Sequence, residues 1–356
     1  MRNMFVMMTW LSLLPSGCGL SHERAAVDAA LPESDAQRPE TDAGSDAGID
    51  SGTPDAGFNG LRISTSSDMP GSTIPRDATG ARLATFDFEG VRASGTVLMF
   101  AIRRTGVGAT SDFENVYLFD EYGRRLTTGR TINSMTNIVM FNGLSVTVSE
   151  GHVRSLTLVG DMSDPPSAGG QHAFEIVDVS DVVTDGINVA GDFPVRSAVT
   201  TVGVIRAATL TCSKGADLPD PEVGTSADIS NFSLSASGRE IESRRLTLLQ
   251  AGSINNADLT ELELYQGSGL VAYASSVSID SIVFQFPAGL DLPADVTTPF
   301  TIRARIGGPV GRTIRLYVEY PADVEAFDPF LGTPARVDPG NFNGFEPRQY
   351  SQVTTR

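Results

Sequence analysis

From Leu61 onward, apolar and polar residues alternate in short runs broken by Gly, Asn, Asp and Ser. Phe86 and Phe88 interleave with Asp87 and Glu89. The same rhythm continues through Val97 to Ile102, Val116 to Phe119, Ile138 to Phe141, the series Leu144, Val146 and Val148, then Leu156 with Leu158 and Phe174 with Ile176. A period of two sends alternate side chains to opposite faces, so these segments are expected to be half-buried strands and not helices. Many short strands separated by turn residues predict a sandwich or barrel of antiparallel strands.

The series then recurs. "ATFDFEGVRASGTVLMFAIRRTGVGATSDFENVYLFDEYGRRL" aligns without gaps to "SNFSLSASGREIESRRLTLLQAGSINNADLTELELYQGSGLVA", pairing Phe86 with Phe232, Phe88 with Leu234, Ile102 with Leu248, Phe113 with Leu259, Val116 with Leu262 and Leu118 with Leu264. The separation is about 146 residues, the size of one small domain. Further on, "HAFEIVDVSDV" answers "TIRLYVEYPADV", setting Phe174 against Leu316, Ile176 against Val318 and Asp181 against Asp323. Shared apolar phase with divergent surface residues predicts one fold, duplicated. "AATLTC" reads as the opening strand of the second copy, so the boundary is expected between Thr201 and Ile205.

Upstream of Leu61 the alternation is missing. "MRNMFVMMTWLSLLPSGCGL" has a basic residue at Arg2, an apolar run from Met4 to Leu14 and small residues before Cys18, the layout of a secretory signal. The run is too short to span a bilayer. Leu14-Pro15-Ser16-Gly17-Cys18 resembles a bacterial lipobox, with Pro15 standing where that family has Leu. The resemblance implies that Cys18 is acylated and becomes the mature N-terminus, and several acyl chains on one residue anchor durably where one would not. The competing expectation is an ordinary signal peptide cut near Gly17 or Gly19. Gly19 lacks the aspartate that retains some lipoproteins in an inner membrane, which points to the outer membrane.

Between Gly19 and Gly57 nine acids stand against Arg24 and Arg38, among Ala, Gly, Ser and Pro. Such a segment buries too little to offset the entropy of ordering, and its like charges extend it, so it is expected to be a disordered tether. Over the whole chain the formal net charge is -17. That field repels nucleic-acid phosphate and excludes a nucleic-acid partner.

Within the first copy, "RRTGVGATSDFENVYLFDEYGRRLTTGRTIN" resembles the tandem immunoglobulin-like repeats of bacterial S-layer-type and other cell-surface proteins. Thr105, Gly106, Gly108, Asp112, Phe113, Asn115, Val116, Tyr117, Leu118, Asp120, Arg125, Leu126, Gly129, Arg130 and Asn133 stand at the matching positions. The resemblance covers residues 60 to 200 and weakens in the second copy. It implies a structural or adhesive role and brings no catalytic residues.

The chain offers little chemistry of its own. His22 lies in the tether, His152 in a turn and His172 at a strand start; none has zinc-ligand spacing, and surface positions are expected. No G-x-S-x-G elbow supports a hydrolase, and the glycines of "TGVGATSDF" do not form a phosphate loop. Asp112, Glu114, Asp120 and Glu121, or Asp161 and Asp164, are candidates for a calcium site, without EF-hand spacing. The aromatic residues follow strand phase and are expected in the core. Cys212 alternates with Leu210 and reads as a buried free thiol.

The expected organisation is therefore all-β: a signal peptide over 1–17, a disordered linker over 18–58, two tandem immunoglobulin-like antiparallel β-sandwich domains over 59–203 and 204–340, and a tail over 341–356. The expected function is that of a non-enzymatic surface protein without cofactor or metal, held to the membrane through lipidated Cys18. A cell-surface protein or polysaccharide is the expected partner. The alternative is a carbohydrate- or ligand-binding module on the same scaffold.

Overall fold

Strands alone build the regular structure, joined by turns and four single-turn 3-10 segments; no α-helix occurs among the described residues. The computed structural model describes residues 57–66, 72–164, 166–274, 277–278, 280–344 and 350–356. The signal peptide, Cys18 and nearly all of the linker lie outside the described residues.

The first group of strands comprises β1 (Gly60–Thr65), β2 (Thr73–Ile74), β3 (Ala81–Val91), β4 (Gly95–Thr105), β5 (Phe113–Phe119) and β6 (Ile138–Val148). It continues with β7 (Val153–Met162), β8 (Gln171–Ile176), β9 (Val182–Thr184), β10 (Asn188–Gly191), β11 (Val195–Arg196) and β12 (Thr200–Val202). One sheet has the order β10-β1-β3-β7-β5, the other β2-β12-β8-β4-β6, with β9 also on β4 and β11 on β8. The inward side chains of the two sheets form one core. At its centre Phe100 meets Phe88 and Phe141 with ring centroids 5.6 and 5.9 Å apart, and Phe86 at 6.5 Å. Edge-on and tilted packing of this kind suits the ring quadrupoles.

The second group comprises β13 (Thr209–Lys214), β14 (Ser226–Ser237), β15 (Ile241–Gln250), β16 (Leu259–Gln266), β17 (Gly269–Ala274), β18 (Val277–Ser278) and β19 (Ser281–Leu292). Then come β20 (Thr297–Ile306), β21 (Thr313–Tyr317), β22 (Val324–Asp328), β23 (Thr333–Pro334), β24 (Arg336–Asp338) and β25 (Ser351–Thr354). Its sheets run β17-β16-β20-β14-β13-β24 and β18-β19-β15-β21-β25, with β22 also on β15. The framework β1-β3-β7-β5 recurs as β13-β14-β20-β16, and β8-β4-β6 as β21-β15-β19, down to β10 and β24, which lie parallel to β1 and β13. These parallel edges depart from a purely antiparallel sandwich. A parallel neighbour requires a long return connection instead of a hairpin, so alternation along the chain does not announce it.

The pairs aligned in the sequence occupy equivalent places: Phe86 and Phe232, Phe88 and Leu234, Ile102 and Leu248, and Leu118 and Leu264 are all buried in the two cores. A shared irregularity is equally telling. Register slips between Val97 and Met99 in β4 and between Ser243 and Arg245 in β15. The extra residue rephases each strand. In β15 this keeps Leu246 and Leu248 in the core and turns Arg245 to the outer face.

The described residues of the expected tail over 341–356 are part of the fold. Ser351–Thr354 pairs with Thr313–Leu316, Val353 is buried, and Phe342 stacks on Phe232 with centroids 5.3 Å apart. Gly340 and Gly344, at positive φ, turn the chain ahead of a strand that completes the sheet.

Cys212 is a buried free thiol on β13, and burial pushes its pKa up to about 12. The folded protein is expected to resist thiol-specific reagents at pH 8 and to react on denaturation. Cys212→Ser, which buries a hydroxyl beside apolar neighbours, is expected to cost about 1–3 kcal/mol in a denaturant melt.

Candidate functional site

The residues carrying the surface-repeat resemblance build one corner of the first sandwich and reach into the second. Gly106 takes a φ of +103°, and a side chain there would overlap the carbonyl of Gln171. At Gly108 a side chain would collide with the ring of His172. These glycines permit close approach of backbone and ring. Gly108→Ala is expected to cost about 1–3 kcal/mol by overpacking, read as a lowered melting temperature.

His172 is not a surface residue. It is buried, with Phe113 edge-on at 4.7 Å. Arg104 Nη1 lies 3.0 Å from Nδ1 and can only donate, which puts the imidazole proton on Nε2. Nε2 is 3.1 Å from Asp112 Oδ2, at an angle too bent for a good hydrogen bond. Burial, reinforced by Arg104, lowers the His172 pKa to about 4, so the ring is neutral at pH 7. His152 is exposed, its Nδ1 2.9 Å from its own turn's Glu150 carbonyl.

The carboxylates considered for calcium are dispersed among separate donors. Asp112 accepts from the amides of Ala109 and Ser167 at 2.9 and 2.8 Å. Asp120 closes its turn by accepting from the amides of Tyr122 and Arg124. Glu121 pairs with Arg154 at 2.5 Å, and Glu114 is exposed. Asp161 accepts from Tyr117 Oη at 2.7 Å and the Gly80 amide at 2.8 Å. Asp164 pairs with Arg206 and Arg336, whose hydrogen bonds hold its pKa below the usual carboxylate range. Among the described residues no group of three metal-ligating side chains converges.

What the motif does assemble is a seam between the sandwiches, which pack as one unit from Asp55 to Arg356. Tyr117, Phe119 and Val159, on the outer face of the first sheet, form a small apolar cluster with Ala322 and Tyr320 of the second sandwich. Arg125 donates from Nε to Asp323 Oδ1 at 2.8 Å, pairs with Glu319, and lies 4.4 Å over the Tyr320 ring. Along the same seam Arg206 joins Asp77 to Asp164, and the Thr79 amide donates to the Ala335 carbonyl at 3.0 Å.

Beside the clamp lies a cleft of about 390 Å³. Its floor is the outer face of β3 and β7 with Arg82, Thr85 and Thr157; its walls are the turn at Phe119 to Gly123 and, from the second sandwich, Arg245, Gln285 and Glu325. Gln285 Nε2 donates to the Tyr122 carbonyl at 3.2 Å and holds that turn in place. Thr85 and Thr157 share a hydroxyl hydrogen bond at 3.1 Å. Sequence reasoning missed both Arg82 and Arg245. Their signal was slight: each occupies the outward phase of a strand, where an arginine is ordinarily just a solvated side chain.

Sheet order, paired cores and duplicated topology define a pair of immunoglobulin-like β-sandwiches. No protein-family model matches the chain, and no curated protein matches it. Among solved structures the chain is similar to the C-terminal domain of the Streptococcus pyogenes antigen I/II-family protein AspA, with a TM-score of 0.23 and 7% identity over 84% of this chain and 100% of that one. It is likewise similar to the C-terminal domain of the Streptococcus agalactiae antigen I/II polypeptide BspA (TM-score 0.23, 10% identity, 83% and 99% covered). The B domain of a biofilm-associated protein is a third (TM-score 0.23, 7% identity, 83% and 85% covered). Likenesses this loose transfer no function.

Proposed function

We propose that this chain is a non-enzymatic, exported surface protein, tethered through acylated Cys18 to an outer membrane, whose two sandwiches act as one rigid spacer or adhesive unit. The observation that carries the reading is the seam: Arg125, set between Asp323 and Glu319 and stacked on Tyr320, joins two copies of one fold into a single body. A stalk that must hold its outer end away from a membrane needs such a joint. The signal-like N-terminus and the acidic, core-poor linker support export and tethering. His172 is buried with its Nδ1 taken by Arg104, so the ring is closed off from solvent, which supports a role outside catalysis.

The test is expression of the full chain in a Gram-negative host, followed by mass measurement of the N-terminal peptide beside a Cys18→Ser control. An acyl adduct on Cys18 that the control lacks is the expected result. An unmodified peptide beginning after Cys18 overturns the anchor and leaves a secreted pair of sandwiches.

A further inference from the structure

The cleft beside the Arg125 clamp is lined by Arg82 and Arg245 against Asp120, Glu121 and Glu325, in a chain of net charge -17. Its three acids each have an arginine: Asp120 has Arg124, Glu121 has Arg154 and Glu325 has Arg245. Arg82, the remaining charged residue of the lining, has no hydrogen-bond or ion-pair partner among the described residues. Arg245 is only 8% exposed and makes a single hydrogen bond, from Nη1 to Glu325 at 2.9 Å; its Nε is buried without an acceptor. A buried cationic donor without a partner costs free energy, and a native fold that keeps one calls for an explanation.

The neighbours of the two arginines suggest what completes them. One of the Thr85 and Thr157 hydroxyls donates to the other, which leaves the pair one further donor and free lone pairs. Tyr122, 70% exposed, stands at the rim with its backbone pinned by Gln285. Guanidinium groups suit a carboxylate, paired hydroxyls suit a polyol, and a held aromatic at the rim offers a face to a sugar ring. The volume falls at the low end of the ~300–1,000 Å³ typical of ligand sites.

We propose that this cleft binds an acidic saccharide unit, its carboxylate set between Arg82 and Arg245 and its hydroxyls toward Thr85 and Thr157. This goes beyond the spacer reading and holds whether or not Cys18 is acylated. The experiment is a calorimetric titration of the full chain with a trimer of a hexuronic acid, with the methyl ester of that trimer, and with a short glutamate peptide. Arg82→Gln is the test variant, and Arg305→Gln, an exposed arginine on β20 of the other sandwich, is the control. Expected are saturable binding of the acid trimer, a loss of at least about tenfold in Arg82→Gln or on esterification, no change in Arg305→Gln, and weakening by salt. Four results overturn the proposal: no binding at millimolar trimer, equal affinity for the ester, unchanged affinity in Arg82→Gln, or binding of the glutamate peptide as tight as that of the trimer. The last would assign the cleft to an acidic protein segment.

Discussion

Arg125→Met is expected to split the unfolding of the two sandwiches. The wild-type pair should melt in one transition; the variant should show two, the first displaced by about 3–5 kcal/mol of lost stability, the usual penalty for leaving half of a buried ion pair. The magnitude follows from burial. The Asp323 side chain is 3% exposed and that of Glu319 22%, so removing the guanidinium strands one carboxylate fully and the other in part. Arg125→Lys should fall between, since one ammonium cannot replace Nε and Nη2 on Asp323 together with Nη1 on the Thr127 carbonyl. Differential scanning calorimetry supplies the measurement. A single transition at the wild-type midpoint in Arg125→Met would show that the clamp does not couple the sandwiches.

Two buried groups of the first sandwich should give opposite dependences of stability on pH. His172 has a folded pKa of about 4 against an ordinary 6.5. Its contribution is complete above pH 6.5 and is lost as pH falls toward 4, because the unfolded chain takes up the proton first. For Asp161 burial raises the pKa to about 7 from an ordinary 3.8, against the hydrogen bonds from Tyr117 and Gly80. Its contribution is complete below pH 3.8 and is lost as pH rises toward 7. Between about pH 4 and 6.5 the two slopes oppose, each at most about 1.4 kcal/mol per pH unit. Asp161→Asn should uncover the first, with stability falling on acidification; His172→Gln should uncover the second, with stability falling as pH rises. Urea melts at pH 4, 5, 6 and 7 measure both. Slopes of the same sign in the two variants would contradict this assignment.

The strands were legible because each needs only its own residues: Phe86, Phe88 and Phe100 declare their faces by period alone. Duplication was legible for the same reason, since Leu234 or Leu248 can replace Phe88 or Ile102 without disturbing phase. The seam was not. Arg125 meets Asp323 across a sequence separation of 198, and nothing local distinguishes Arg125 from Arg124, whose Nε bonds Asp120 of its own turn. His172 was misplaced because the polar network that makes its burial tolerable comes from Arg104 and Asp112 on other segments. The strand at Ser351–Thr354 was hidden by its surroundings: four residues that follow a run of Pro and Gly read as a tail until β21 supplies the edge they complete.

The parallel pairing of β1 with β10 also governs timing. The first strand of the first sandwich finds one of its two neighbours only when Asn188–Gly191 is available, and the second sandwich waits on Ser351–Thr354. Closure that depends on distant segments is slow. If the chain crosses a membrane unfolded, such closure comes only after Asn188–Gly191 and Ser351–Thr354 have crossed.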